Sequence, residues 1–315
     1  MSKIAFIYPG QGAQKAGMGA DFYENSEIAR YIFDQAGEEL DLDMKELCFE
    51  ENDRLDLTEY TQAAMVTTCL AMTRVAESKG LKADITAGLS LGEYPAIAAA
   101  GGMNDMDAIR LVRKRGILMQ NTVPAGEGAM CAVISMAAEE IEKVIEPIAD
   151  VSVANYNCPG QIVITGKTDA VEEAAAKLKE AGARRTIMLN VSGPFHSQML
   201  VPAGEKLAEE LEHTRFHELR IPYVTNVTAE KVTDIRETPG LLTTQISSPV
   251  RWMQSMERMI ADGVDTFVEI GPGKTLEGFL RKIDQSVKVF HISQWEDVDK
   301  VCTELADSGK MMEEA

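Results

Sequence analysis

Positive charge is scarce in this sequence. Against 50 Asp and Glu stand 31 Lys and Arg, a formal charge of −19 with histidine neutral. There is no basic tract, and nucleic-acid binders need clustered Lys and Arg to displace the counterions of the phosphate backbone, so general nucleic-acid binding is excluded. Long apolar runs are missing too. The longest, such as residues 4–8 and 96–100, fall far short of the roughly 18 to 20 residues of a membrane-spanning helix. The five cysteines, Cys48, Cys69, Cys131, Cys158 and Cys302, are odd in number, scattered and without a C-x-x-C pair, which suits neither a disulfide framework nor a zinc cluster. The opening Met-Ser-Lys-Ile-Ala-Phe-Ile-Tyr enters an apparent strand directly and lacks the apolar region and cleavage site of a signal peptide. The expectation is a reduced, cytoplasmic protein with no metal, no nucleic-acid partner and no membrane partner.

What is present is ordinary globular composition, 45% hydrophobic and 26% charged, and a length of 315 residues that suits one large domain or two. KIAFIYPGQGAQ is a short apolar run stopped by Pro9 and glycines, a buried strand entering a loop. Apolar residues at three- and four-residue spacing predict helices at 27–39, 60–79 and 105–120, with a short strand at Ile85-Thr86-Ala87. Strands alternating with helices imply a parallel sheet covered by helices. After VPAGEG the pattern changes to strand 129–135, helix 137–148, strands 151–155 and 161–165, helix 169–181 and strand 184–189. That is βαββαβ, the ferredoxin-like order, and it predicts an insertion at 126–191 within a larger domain made of 1–125 and 192–315. Beyond it come a helix at 202–213, strands near 221–226, 266–269 and 288–292, and a tail, 307–315, expected to fray.

The strongest chemical signal is Gly88-Leu89-Ser90-Leu91-Gly92, between the Ile85-Thr86-Ala87 strand and an alanine-rich helix. G-x-S-x-G in this context is a nucleophile elbow: a sharp strand-to-helix turn crowds the backbone at both glycines and presents the Ser90 hydroxyl above the sheet. The amide of Leu91, directly after the serine, can face a developing oxyanion. The alternative is a tight turn in which Ser90 merely caps a helix. A serine needs a base, and the sequence offers only four histidines. His196 lies in the loop Ser192-Gly193-Pro194-Phe195-His196-Ser197; His213 and His217 straddle a helix end and lack a third metal ligand; His291 lies in the last strand. His291 is the rival base, because an α/β-hydrolase places its histidine late in the chain. Two glycine signals fail on spacing. A dinucleotide loop at Gly10-Gln11-Gly12 would need a third glycine where Lys15 stands, and a phosphate loop ending in Gly273-Lys274-Thr275 would begin at Val268. Gly10 to Gly12 could instead bring a backbone amide to the mouth of the sheet.

Together, Pro9-Gly10-Gln11-Gly12-Ala13-Gln14, Gly88-Leu89-Ser90-Leu91-Gly92-Glu93, Arg113-Lys114-Arg115-Gly116, Gly193-Pro194-Phe195-His196-Ser197, Gln245 with Ser248-Pro249-Val250-Arg251-Trp252, and Glu269-Ile270-Gly271-Pro272-Gly273 closely resemble the bacterial malonyl-CoA:acyl-carrier-protein transacylase family. The similarity runs in order over nearly the whole chain. It implies an α/β fold, an α/β-hydrolase-like large domain with a parallel sheet and an inserted ferredoxin-like small domain. It also implies transfer of a malonyl group from malonyl-CoA to the thiol of acyl carrier protein through a malonyl-serine, supplying fatty acid biosynthesis. The coenzyme A thioester would be substrate, with no cofactor, and the protein a monomer. By this resemblance Ser90 is the acylated nucleophile and His196 the general base. Arg115 binds the malonyl carboxylate, the Gln245 carbonyl orients His196, and the amides of Gln11 and Leu91 form the oxyanion hole. Phe195 matches the malonyl-selecting form of its loop. Leu89 stands where the family usually has histidine.

Without the resemblance, Arg115 reads more readily as a solvated helix residue in a basic run, and a serine hydrolase using Ser90 with His291 remains the alternative activity. The resemblance also changes the meaning of the −19 charge. Both coenzyme A and an acidic carrier protein are anionic, so a local basic patch must override the overall field. Arg113, Lys114, Arg184 and Arg185 are the candidates, with ordinary solvated charge as the alternative.

Overall fold

The computed structural model describes residues 2–307, so the tail expected to fray lies outside the described residues except for Asp307, the last residue of a helix. The strands are β1 (Lys3–Tyr8), β2 (Ile85–Gly88), β3 (Gly128–Ile134), β4 (Val151–Cys158), β5 (Gln161–Lys167), β6 (Arg185–Met188), β7 (Tyr223–Val224), β8 (Lys231–Val232), β9 (Val264–Ile270) and β10 (Lys288–Ile292). They form a six-stranded sheet ordered β10-β9-β1-β2-β7-β8 and a four-stranded sheet ordered β4-β5-β3-β6. In the first, every neighbouring pair is parallel except the edge hairpin β7–β8. In the second, every pair is antiparallel. The mixed α/β class read from the strand and helix order is present.

Residues 4–8 of β1 are all buried, as a central parallel strand with helices on both faces requires. The almost wholly buried helix Thr58–Ser78 packs with Asp105–Thr122 on one side. Trp252–Ala261 and Thr275–Ile283 cover the other around Ala5, Ile7, Phe267 and Trp252. Tyr8 pairs with Gly88, so the loops leaving β1 and β2 emerge side by side. Since β1 has β2 on one flank and β9 on the other, this is where strand order diverges and a parallel sheet opens a crevice.

The second sheet has its own apolar core, with Val133, Ile141, Ile162, Ile164, Val171 and Leu178 packed between strands and the helices Ala138–Ile145 and Thr168–Glu180. The βαββαβ order is as expected, but the strand anticipated at 151–155 continues to Cys158 through two register shifts, flanking Asn155 and Asn157. Bulges re-aim side chains, and both asparagines line the central cleft. β4 also pairs with the segment leading into Trp252–Ala261: Tyr156 N–H donates to the Val250 carbonyl at 2.9 Å and Val250 N–H to the Ala154 carbonyl at 2.8 Å. Helices at Thr238–Gln245, Trp252–Ala261, Thr275–Ile283 and Trp295–Asp307 were not anticipated. Among the described residues no helix is long and apolar enough to cross a membrane.

Candidate active site

The elbow at Ser90 follows from backbone crowding. A Cβ on Gly88 would lie 1.8 Å from the Gly92 carbonyl oxygen, and one on Gly92 would lie 2.2 Å from the Tyr8 carbonyl oxygen, so no larger residue fits either position. Ser90 itself has φ 51°, a left-handed conformation that costs a non-glycine residue about 1–3 kcal/mol and persists only where its surroundings enforce it. Asn226 enforces it here. Its Oδ1 accepts from the Ser90 N–H at 2.6 Å and its Nδ2 donates to the Gly88 carbonyl at 2.7 Å.

His196 is also left-handed, at φ 60°, in a loop closed by the Ser197 hydroxyl donating to the Pro194 carbonyl at 2.7 Å. Its Nδ1 lies 2.9 Å from the Gln245 carbonyl and 3.1 Å from the Ser248 carbonyl. Both are acceptors, so Nδ1 carries the proton and Nε2 is left bare. Nε2 stands 2.7 Å from Ser90 Oγ, in position to take the hydroxyl proton. Burial, followed by the neighbouring Arg115 charge, pulls the His196 pKa down to about 4 against the two carbonyl bonds.

Arg115 is fully buried rather than solvated. Nη1 donates to Gln62 Oε1 at 2.9 Å, while Nη2 donates to Gln245 Oε1 at 3.1 Å and to Ser90 Oγ at 3.3 Å. The guanidinium carbon lies 5.4 Å from the Tyr94 ring centre, and burial lowers its pKa. All three Arg115 acceptors are neutral side chains. A buried cation so placed is a receptor for an anion brought close to Ser90 Oγ.

Ser90 and His196 line a cleft of about 600 Å³ together with Gln11, Phe195, Asn155, Asn157, Leu189 and Ser192, among others. The Gln11 side chain donates to Thr58 Oγ1 at 3.0 Å, and Thr58 Oγ1 lies 2.6 Å from Ser192 Oγ; this fixes the β1 loop against the His196 loop. Leu91 is buried beside Ser90, Phe195 is buried beside His196, and Leu89 packs against the apolar cluster under the cleft. Leu89 N–H donates to the Tyr8 carbonyl at 3.0 Å.

The remaining candidates lie elsewhere. His291 is on β10, three strand spacings from β2 or about 14 Å, and its Nδ1 faces Glu277 at 3.5 Å. His213 and His217 are exposed, and among the described residues no cluster of metal ligands occurs. Arg113 is turned inward, paired with Glu59 at 2.9 Å and stacked 4.4 Å from the Tyr60 ring centre. Lys114 pairs with Glu210 at 3.5 Å. Only Arg184 and Arg185 of the four basic candidates are exposed without an ion pair among the described residues.

Sequence reasoning gave no role to Asn226, Gln62 or Glu93. Gln62 is buried in a helix that also buries Thr58, Thr61, Thr67, Thr68 and Thr73, so its polarity alone did not mark it out. Asn226 follows a two-residue strand and carried no local signal. Glu93 stands beside the elbow motif, is fully buried, and has its pKa raised to about 7 by burial.

Comparison with known proteins gives a consistent result. Residues 5–298 match the acyl transferase domain family. The malonyl CoA-acyl carrier protein transacylase of Bacillus subtilis is 44% identical over 304 residues, covering 95% of this chain and 96% of that protein. The crystal structure of a malonyl CoA-acyl carrier protein transacylase from Clostridium perfringens superposes with a TM-score of 0.94 at 42% identity, covering 98% of each chain. A type II polyketide acyl-carrier protein in complex with its malonyl-transacylase, PlMCAT:AntF, matches at TM-score 0.93 and 35% identity, over 96% of this chain and all of that one.

Proposed function

The chain belongs to the acyl transferase domain family, and from that premise we infer that it transfers malonyl from malonyl-CoA to the thiol of an acyl carrier protein, supplying fatty acid biosynthesis. The observation that carries this reading is the buried Arg115 guanidinium 3.3 Å from Ser90 Oγ. A planar cation there matches a carboxylate on the acyl group, which acetyl lacks.

In the proposed mechanism the malonyl carboxylate docks on Arg115 and the thioester carbonyl lies over Ser90. Ser90 Oγ attacks the carbonyl carbon while its proton passes to His196 Nε2. The carbon–sulfur bond then breaks, and the coenzyme A thiolate leaves with that proton. The carrier-protein thiol, deprotonated by the same Nε2, attacks the malonyl-serine; the carbon–oxygen bond to Ser90 breaks, and Nε2 returns the proton to Ser90 Oγ. The Gln11 and Leu91 amides serve as oxyanion donors, each worth about 2.7–4 kcal/mol in such sites. The Gln245 carbonyl holds the imidazole, and Phe195 limits branching on the malonyl carbon. This chemistry needs no cofactor, since the thioester itself is activated.

We take 126–191 as an inserted ferredoxin-like subdomain on the strength of its separate core, and residues 1–125 with 192–315 as an α/β-hydrolase-like domain on the strength of the elbow. Arg184 and Arg185 are the proposed docking cations for the acidic carrier. We also propose a cytoplasmic monomer with no nucleic-acid or membrane partner.

Labelled malonyl-CoA tests the reaction against hydrolysis. Label should accumulate on Ser90 and leave on adding carrier protein. Prompt release as free malonate in water alone would support a hydrolase instead.

A further inference from the structure

Glu93 takes no part in the proposed proton transfers, yet its carboxylate lies at the centre of the site's hydrogen bonds. Its Oε2 accepts from Gln245 Nε2 at 2.7 Å and from the Asn226 N–H at 3.0 Å. Each partner then reaches the reacting groups. Gln245 Nε2 also donates to the Ser90 carbonyl at 3.0 Å, its Oε1 accepts from Arg115 Nη2, and its backbone carbonyl faces His196 Nδ1. The Asn226 side chain braces the backbone entering the left-handed Ser90, at the Gly88 carbonyl and the Ser90 N–H. We propose that Glu93 is a positioning residue for malonyl transfer, setting the side-chain orientation of Gln245 and the backbone position of Asn226 so that Ser90, His196 and Arg115 share one arrangement.

A primary amide can turn end for end at little cost, and at Gln245 the two ends are not equivalent. With its NH₂ toward Glu93, its oxygen faces the Arg115 guanidinium. The reversed amide would set an NH₂ against that cation and an oxygen against the carboxylate. Glu93, an acceptor when ionised, therefore selects the orientation that Arg115 needs. Glu269 makes the contrast. It is equally buried, but its oxygens accept the backbone N–H groups of Leu276 and Glu277 at 3.1 and 2.8 Å, capping a helix rather than orienting side chains.

The proposal rests on the malonyl-transfer reading, so its test includes a readout independent of malonyl. Glu93→Leu, Glu93→Asp and Glu93→Gln are compared in kcat for malonyl transfer and in the rate at which a fluorophosphonate labels Ser90. Glu93→Leu should lower kcat by about 10²-fold, the effect of an ångström-scale misplacement, and slow labelling as well. Glu93→Gln keeps a carbonyl oxygen for both donors and should restore most of both rates. If Glu93→Leu does not fold, Glu93→Asp, one methylene shorter with the charge kept, should show the loss at a near-native unfolding temperature. Wild-type rates in the Leu or Asp variant, or a Gln variant as impaired as Leu, would overturn the positioning role. Absence of malonyl transfer in the wild type would overturn the activity reading instead, while the labelling rates still decide the role of Glu93.

Discussion

Beneath Ser90, Arg115 is fully buried and donates to three side chains. On the strand and turn leading to the cleft, Arg184 and Arg185 are exposed and in no ion pair among the described residues. One residue type is thus placed in two ways. A buried guanidinium has lost its water, and an anion brought to it recovers much of that cost; removing the partner of such a pair costs about 3–5 kcal/mol. An exposed guanidinium is hydrated and screened, contributing about 1 kcal/mol or less per contact, but its field reaches into solution and steers an approaching acidic partner. In the proposed function, Arg115 chooses the acyl group and the exposed pair meets the carrier.

The claim for the buried site is broken most severely at the nucleophile and base. Ser90→Ala should abolish acyl-enzyme formation, and His196→Ala should slow it by about 10²- to 10⁴-fold, the usual contribution of a general base; rapid-quench measurement of enzyme-bound label checks both. Arg115→Ala should lower malonyl kcat/KM by about 10²- to 10³-fold while raising acetyl transfer relative to it. Unchanged malonyl turnover would remove Arg115 from carboxylate binding.

Acid sensitivity sharpens the same contrast. Burial disfavours the imidazolium, so His196 stays neutral until the pH falls to about 4, and protonation of the base should impose no acid limb above pH 5. An ordinary imidazole with a pKa near 6.5 would by then have lowered kcat/KM about 30-fold. Because the Arg115 charge is one cause of the lowering, the acid limb of Arg115→Ala should move upward. Replacing the exposed Arg184 and Arg185 by Glu should raise the carrier-protein KM severalfold at low salt and less at high salt, as screened charges do, leaving malonyl-CoA kinetics near wild type.

The elbow and the βαββαβ unit were legible because their causes are local. Gly88 and Gly92 announce a crowded turn at fixed spacing, and alternating apolar strands announce the small sheet. The helix Trp252–Ala261 was missed although buried Trp252, Ser255, Met256 and Met259 recur at helical spacing, because Ser255 in that stripe weakens the apolar signal. Asn226 and Glu93 were not legible as a pair. They lie 133 positions apart, and only the parallel register of β2 with β7 brings them together. The basic run 113–115 misled in another way. Consecutive residues on a helix point about 100° apart, so Arg113 turns to Glu59, Lys114 to Glu210 and Arg115 to the core. Composition alone cannot separate those three fates.

Intact-mass analysis after separate exposure to malonyl-CoA and acetyl-CoA, with the modified peptide mapped, tests the central claim most directly. The wild-type protein should gain a malonyl adduct on Ser90 that is carried onward to a carrier-protein thiol, and little acetyl adduct until Arg115 is replaced. An unmodified Ser90, or equal acetyl and malonyl adducts in the wild-type protein, would contradict it.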